Sequence, residues 1–233
     1  MNRRSGLGAL LVAAGLAGCM PGRGHAPEPA SEAAPRRVHL RVAGRPQAQS
    51  LSCESRSACD LLGFHGLPGD ESRFLAGLPR SDDPDLGFVG DPDGPGGGLP
   101  PASYGVHAAP VAQRLREHGL AAEATRGRDL PWLRAEIAAG RPVVVWATAD
   151  LAARTPVTLS SRAGRRFLAV AGEHTFLVTG FGPGTVVLLD PASGREKHVA
   201  ERRFDEAWAT LGRIAVSARA PDSSALAAGD RVE

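Results

Sequence analysis

Cysteine is scarce: three in 233 residues, at positions 19, 53 and 59. Cys53 and Cys59 sit on what reads as one helix, where six residues rise about 9 Å. That exceeds the roughly 7 Å between Cα atoms that a disulfide spans, so both are expected to stay free thiols, Cys59 as a small buried hydrophobe. An excess of one charge is also missing. The chain has 27 basic and 25 acidic residues, and loss of Arg3 and Arg4 with the leader leaves 25 of each. Nothing implies a polyanionic partner, so no nucleic acid is expected. The apolar run from Leu7 to Ala17 is too short to span a bilayer as a permanent helix. Asp82, Asp83, Asp85, Asp91 and Asp93 lack the closing Glu and the ligand spacing of a calcium loop, and neither a metal nor a cofactor is expected.

What is present begins with Met1-Asn2-Arg3-Arg4 and that apolar run, which reads as a removable secretion signal over residues 1–18. Leu16-Ala17-Gly18-Cys19 resembles the bacterial lipobox, and the resemblance makes Cys19 the lipidated first residue of an exported, membrane-anchored protein. An ordinary small-residue cleavage site is the alternative. Pro, Ala, Gly and Glu without apolar periodicity extend the segment 19–37 into a flexible tether. The folded domain is expected over 38–218 and a frayed tail over 219–233, a single core being the default at 42% apolar content.

Within the domain, Gln47 to Gly63 reads as a loop entering a buried helix. Leu51, Ala58, Leu61 and Leu62 form its apolar stripe, Ser50 or Ser52 offers an oxygen to an orphan amide, and Gly63 is a natural stop. Cys53 then lies in the first turn, where the positive end of the helix dipole favours thiolate, the nucleophilic form. The amide of Gln47, in the preceding loop, is placed to donate to an oxyanion.

Further along, Val38 to Val42 alternates as a strand, and Ser72 to Leu78 suits a short helix. Pro79 to Ser103 is a long Gly/Pro/Asp segment of the kind that is functional or mobile, expected to wall the substrate groove. Helices are expected over 110–118 and 130–139, strands over 121–125 and, buried on both faces, 142–146. Residues 151–166 are polar and irregular and suggest no role. A helix over 200–211 and a closing strand over 213–217 complete the domain.

His174 to Asp190 is a hairpin by pattern: β-branched and apolar arms flank Gly182-Pro183-Gly184. A turn centred on Pro183 sets Phe181 opposite Thr185, which makes Asp190 the diagonal, same-face neighbour of His174. An imidazole and an orienting carboxylate at the open end of a rigid hairpin suit general-base chemistry. His65, His107, His118 and His198, in loops or beside charges, read as solvated surface residues instead.

Gln47, Leu51-Ser52-Cys53-Glu54, Gly87-Phe88-Val89-Gly90, Tyr104-Gly105-Val106, Arg141 to Trp146, Glu173-His174 and Asp190-Pro191 together resemble family thirty-nine of the cysteine peptidases. The likeness is to free-standing relatives of the double-glycine leader peptidases, in the papain-like clan, over about residues 38–217. It implies an α+β papain-like fold in which a helical part carrying the nucleophile packs on an antiparallel sheet carrying His and Asp. It implies Cys53 as nucleophile, His174 as base, Asp190 as orienter and Gln47 in the oxyanion hole, acting on a peptide or protein substrate. Glu54 stands where transporter-fused members have Gly, and leader processing during export does not carry over. A cell-wall peptide hydrolase, a transglutaminating enzyme or a binding lipoprotein with an inactive triad remain alternatives, and oligomeric state is not legible.

Overall fold

A computed structural model describes residues 37–220. The expected signal, Cys19, its tether through residue 36 and all but the first two residues of the expected tail lie outside the described residues. Among the described residues no helix is long and apolar enough to cross a membrane.

The centre is an antiparallel sheet. Its order is β2 (Ala121–Thr125), β9 (Ala215–Arg219), β3 (Val143–Thr148), β6 (Glu173–Gly182), β7 (Thr185–Asp190) and β8 (Arg195–Ala200), and β1 (Val38–His39) also pairs with β6. Strand alternation divides its side chains between two cores. Val144, Trp146, Leu177 and Leu189 face α1 (Cys53–Phe64), α2 (Glu71–Ala76) and α3 (Ala108–Glu117). Val143, Val145, Phe176, Val178 and Leu188 face α4 (Leu130–Ala138) and α5 (Glu201–Ala209). β3 is buried at all six positions because helices cover it on both sides. Proline at the start of α4 costs no hydrogen bond there, and the Asp129 carboxylate accepts from Trp132 N–H to close that end.

The hairpin departs from its expected turn in an instructive way. Gly182 pairs with Thr185 and Phe181 with Val186, so the loop is only Pro183-Gly184, with Gly184 at φ +63°. That register alone would send His174 and Asp190 to opposite faces. A bulge between Val178 and Gly180 absorbs one residue, after which Val178 meets Leu188 and Leu177 meets Leu189, the register expected for the open end.

Other expectations are corrected. α1 runs through Gly63 to Phe64, and Gly66 at φ +73° takes the left-handed position while Leu67 N–H closes on Leu62 C=O. Residues 151–166 are not featureless: β4 (Val157–Ser160) pairs with β5 (Arg166–Ala169), and Phe167 and Ala169 pack on Val89 and Tyr104. His107 is 1% exposed and bonds Asp85 through Nδ1 at 2.7 Å, so it is a buried partner and not a surface residue.

Candidate active site

Cys53 opens α1, 5% exposed. No side chain caps this helix end. Ser52 Oγ instead donates its one proton to Glu71 Oε1 at 2.6 Å and accepts from Gln49 N–H at 3.1 Å, so neither Ser50 nor Ser52 satisfies the first amides as expected. The Cys53 N–H is therefore left without a side-chain cap.

The expected thiolate preference does not survive burial. Loss of hydration is the largest effect and pushes the Cys53 thiol well above its usual range; the Glu54 and Glu173 carboxyls push the same way. Hydrogen bonds from the side chain and backbone of Thr175 oppose them. The thiol donates to Glu54 Oε2 at 3.3 Å. A helix dipole acts from partial charges at the terminus, and here two carboxyls and a dry pocket outweigh it.

His174 and Asp190 meet as the register requires. His174 Nε2 lies 2.8 Å from Asp190 Oδ1, and Lys197 Nζ lies 2.6 Å from Asp190 Oδ2. Burial works against the Asp190 charge, yet hydrogen bonds from His174, Lys197 and Ala192 N–H hold its carboxyl well below the ordinary carboxylate range. The imidazole stands edge-on to Phe176, centroids 4.8 Å apart. Lys197 was missed at the sequence level because nothing before pairing tells that Leu188 sits opposite it on β8.

The structure does not join the sulfur to the imidazole. Among the described residues the thiol bonds Glu54, and His174 bonds Asp190. Alternation along β6 explains this. Thr175 points at α1, within 3.2 Å of Ser57 Oγ, while His174 and Phe176 point to the other face. The sulfur thus lies against Thr175, one residue from His174, near the beginning of β6. Gln47 is close by but occupied: its Nε2 donates to Gln49 C=O at 2.8 Å and Ser50 C=O at 2.9 Å. Oxyanion donation by Gln47 requires one of these bonds to open.

The segment 91–98, part of the long loop, crosses over this region. Leu51 N–H and Ser50 Oγ both bond Pro92 C=O, Ser50 Oγ reaches Gly94 C=O at 2.6 Å, and Gln49 Nε2 reaches Asp93 at 2.9 Å. At its other side Gly97 C=O accepts from Gly172 N–H, just before Glu173-His174. Close backbone approach of Gly90 to Ser103 closes the base of this strap, leaving no room for a Cβ.

With a thiol at a helix start and a His–Asp pair on the adjoining strands, the comparisons decide the family. Residues 39–216 match the model of the Peptidase_C39-like family. The chain belongs to that family. Among solved structures, a C39-like peptidase from Bacillus anthracis superposes with a TM-score of 0.70 at 23% identity, covering 78% of this chain and 97% of that one, which shows the papain-like α+β fold. The peptidase domain of Streptococcus ComA, a bi-functional ABC transporter, is more distant: TM-score 0.46, 12% identity, 78% of this chain and all of that domain. The uncharacterized protein YvpB of Bacillus subtilis is 30% identical over 140 residues, 58% of this chain; the match spans about half (52%) of YvpB's length.

Proposed function

We propose that this chain is a cysteine peptidase, exported and held at a membrane by a lipid on Cys19, that hydrolyses a peptide or amide bond through an acyl-enzyme at Cys53. The observation that supports it most is the His174–Asp190 pair, held by the bulged hairpin beside the strand position against which the Cys53 sulfur rests. Asp190 occupies Nε2, so Nδ1 is the imidazole nitrogen left for proton transfer.

His174 takes the thiol proton on Nδ1 and the sulfur attacks the carbonyl carbon. The uncapped Cys53 N–H and a released Gln47 amide stabilise the oxyanion, and protonated His174 supplies the leaving amine with its proton. Water then attacks the thioester, gives its proton to His174 and frees the sulfur. Among the described residues sulfur and ring lie on different faces of β6 and share no hydrogen bond, so proton transfer between them requires His174 to swing round the edge of the sheet as substrate binds.

The test is labelling with a thiol-reactive acyl probe and turnover of a peptide library. Cys53→Ala is expected to abolish both while leaving the circular dichroism unchanged. Labelling that persisted at Cys59, buried and with its thiol pushed up to about 12 by loss of hydration, would overturn the assignment. Anchoring is tested separately: Cys19→Ser is expected to move the protein from the membrane to the soluble fraction. A binding lipoprotein is the result if the purified domain retains a peptide and turns none over.

A further inference from the structure

A cavity of about 410 Å³, within the roughly 300–1,000 Å³ of small-ligand sites, opens beside α1 and has none of Cys53, His174 and Asp190 in its lining. One wall is a single face of α1, where Arg56, Asp60, Gly63 and Phe64 follow one another at helical spacing. Leu67 closes one end, and Arg41 and Arg45, from the segment after β1, close the other. Phe64 and Leu67 make the cavity apolar on one side, and three guanidiniums make it cationic on the other. A Cβ on Gly63 would meet nothing within 4 Å, so the helix itself leaves this space open.

Arg56 is the anchor, only 8% exposed. Its Nη2 lies 2.6 Å from Asp60 Oδ1, an ion pair without hydrogen-bond alignment, and its Nη1 lies 3.3 Å from Glu71 Oε2. Its Nε, shut off from water, has no partner. Arg41 and Arg45 are exposed, and among the described residues neither guanidinium meets a carboxylate; Arg45 reaches Asp60 only through its backbone N–H. Asp70, beyond Gly69, is occupied with Arg73 N–H. Three guanidiniums thus face the two carboxylates of Asp60 and Glu71, and the single charge left over matches a carboxylate better than a phosphate near two negative charges. Arginine's planar fork takes a carboxylate through two parallel hydrogen bonds. Behind Arg56, Glu71 leads to the loop before the nucleophile: its Oε1 accepts from Ala48 N–H at 2.8 Å and from Ser52 Oγ at 2.6 Å. A ligand that draws on Arg56 competes with its contact to Glu71, the longest link in this chain.

We propose that this cavity is a binding site for a carboxylate carrying a short apolar body, and that its occupancy is passed through Glu71 to the loop of Gln47. The head lies among Arg41, Arg45 and Arg56, and the body lies on Phe64 and Leu67. Two sources share that chemistry, the C-terminal residue of a peptide and a free aliphatic acid. The site goes beyond the hydrolase reading and does not depend on it, because ligand binding there uses no member of the triad and needs no turnover.

The experiment is a titration of the isotope-labelled full chain with N-acetyl-leucine, N-acetyl-leucinamide and hexanoate, read from backbone amide shifts by nuclear magnetic resonance. N-acetyl-leucine is expected to move the amides lining the cavity to saturation, and that of Ala48 along the same curve. N-acetyl-leucinamide, the same body without the charge, is expected to move none. Arg41→Ala and Arg45→Ala, both at exposed positions, are each expected to weaken binding by about 2- to 10-fold, and Arg41→Glu combined with Arg45→Glu to abolish it. Gly63→Leu fills the open space from a helical position that gains from losing glycine, and is expected to abolish binding without lowering the melting temperature. Hexanoate weaker than N-acetyl-leucine assigns the site to a peptide terminus, and hexanoate as tight or tighter assigns it to an aliphatic acid; both support the site. Equal binding of acid and amide, or an affinity untouched by the charge reversals or by Gly63→Leu, overturns it, and saturation that leaves Ala48 unmoved overturns the link to the loop. Saturable binding without peptide hydrolysis defeats the proposed function alone, whereas Cys53-dependent hydrolysis without saturable binding defeats the site alone.

Discussion

At the scale of single residues, the site contains carboxyls pushed in opposite directions, and these have opposite consequences for stability. Glu54, at about 7, binds a proton in the native state over a range where the unfolded chain, with carboxyls near about 4.3, has lost it. Native protein therefore holds more protons between those values, and stability falls as pH rises through that window. Asp60, raised by burial to about 6 despite its Arg56 partner, adds to the same trend. Asp190 behaves in the reverse sense: its contribution is complete above about pH 4 and is lost only as acid protonates it. Melting temperature measured across about pH 4.5 to 7 is expected to decline in wild type and to decline less in Glu54→Gln, which removes one of the raised groups, a tenfold change in proton affinity being worth about 1.4 kcal/mol. A wild-type melting temperature that climbs across the window would contradict this. Asp190→Asn keeps the shape but loses the charge that orients His174, and turnover is expected to fall by about 10²–10⁴ with little change in fold. Cys53, His174 and Asp190 were legible from the chain because each lies in a short stretch whose pattern stands alone. Glu54 and Glu173 were legible only as letters beside them, since a carboxyl's meaning here comes from which neighbours exclude water from it.

The elements that matter most are the bulged hairpin and the strap over residues 91–98. In a strand, a single residue of slip exchanges the two faces, so the pairing of His174 with Asp190 depends on the irregularity at Val178 and Gly180. Sequence pattern located the hairpin and even its open-end register, but it assumed a regular ladder with a three-residue turn. The compensation of a tighter turn by a bulge has no letter code, because it is set by β1 crossing beside Gly180, where Val38 C=O leaves no room for a side chain. The strap was legible as a long Gly/Pro/Asp segment and not as a cover, since its anchors Ser50, Gln49 and Gly172 come from distant parts of the chain. Ser50→Ala removes the hydroxyl that reaches Gly94, a bond worth about 0.5–1.5 kcal/mol. Alkylation of Cys53 by a bulky maleimide is expected to speed up by roughly 2- to 10-fold, with a smaller gain for iodoacetamide. Equal gains for both reagents would mean that the strap does not control access.

For the molecule as a whole, two hydrophobic cores share one sheet, and both close among the described residues. A chain restricted to residues 37–220 is accordingly expected to fold alone and to melt within a few degrees of the full-length protein; a loss of cooperativity would show that the core depends on the remainder. Leu177→Ala empties space beneath α1, and a cost of about 2–5 kcal/mol in urea unfolding is expected. The sequence by itself determined most of the helices and strands, because their periodicities are local and survive without knowing their partners, and the class of fold followed from the family resemblance of its motifs. It also singled out Cys53, His174 and Asp190 as candidates, because a helix start and a hairpin fix where a side chain sits relative to its own element. Only tertiary structure decided that the thiol bonds Glu54 and not the imidazole, and that residues 91–98 tie the loop before α1 to Gly172. Those outcomes turn on sheet faces, water exclusion and charge neighbours contributed by residues far apart in the chain, and free energies of that kind do not exist until the chain has closed on itself.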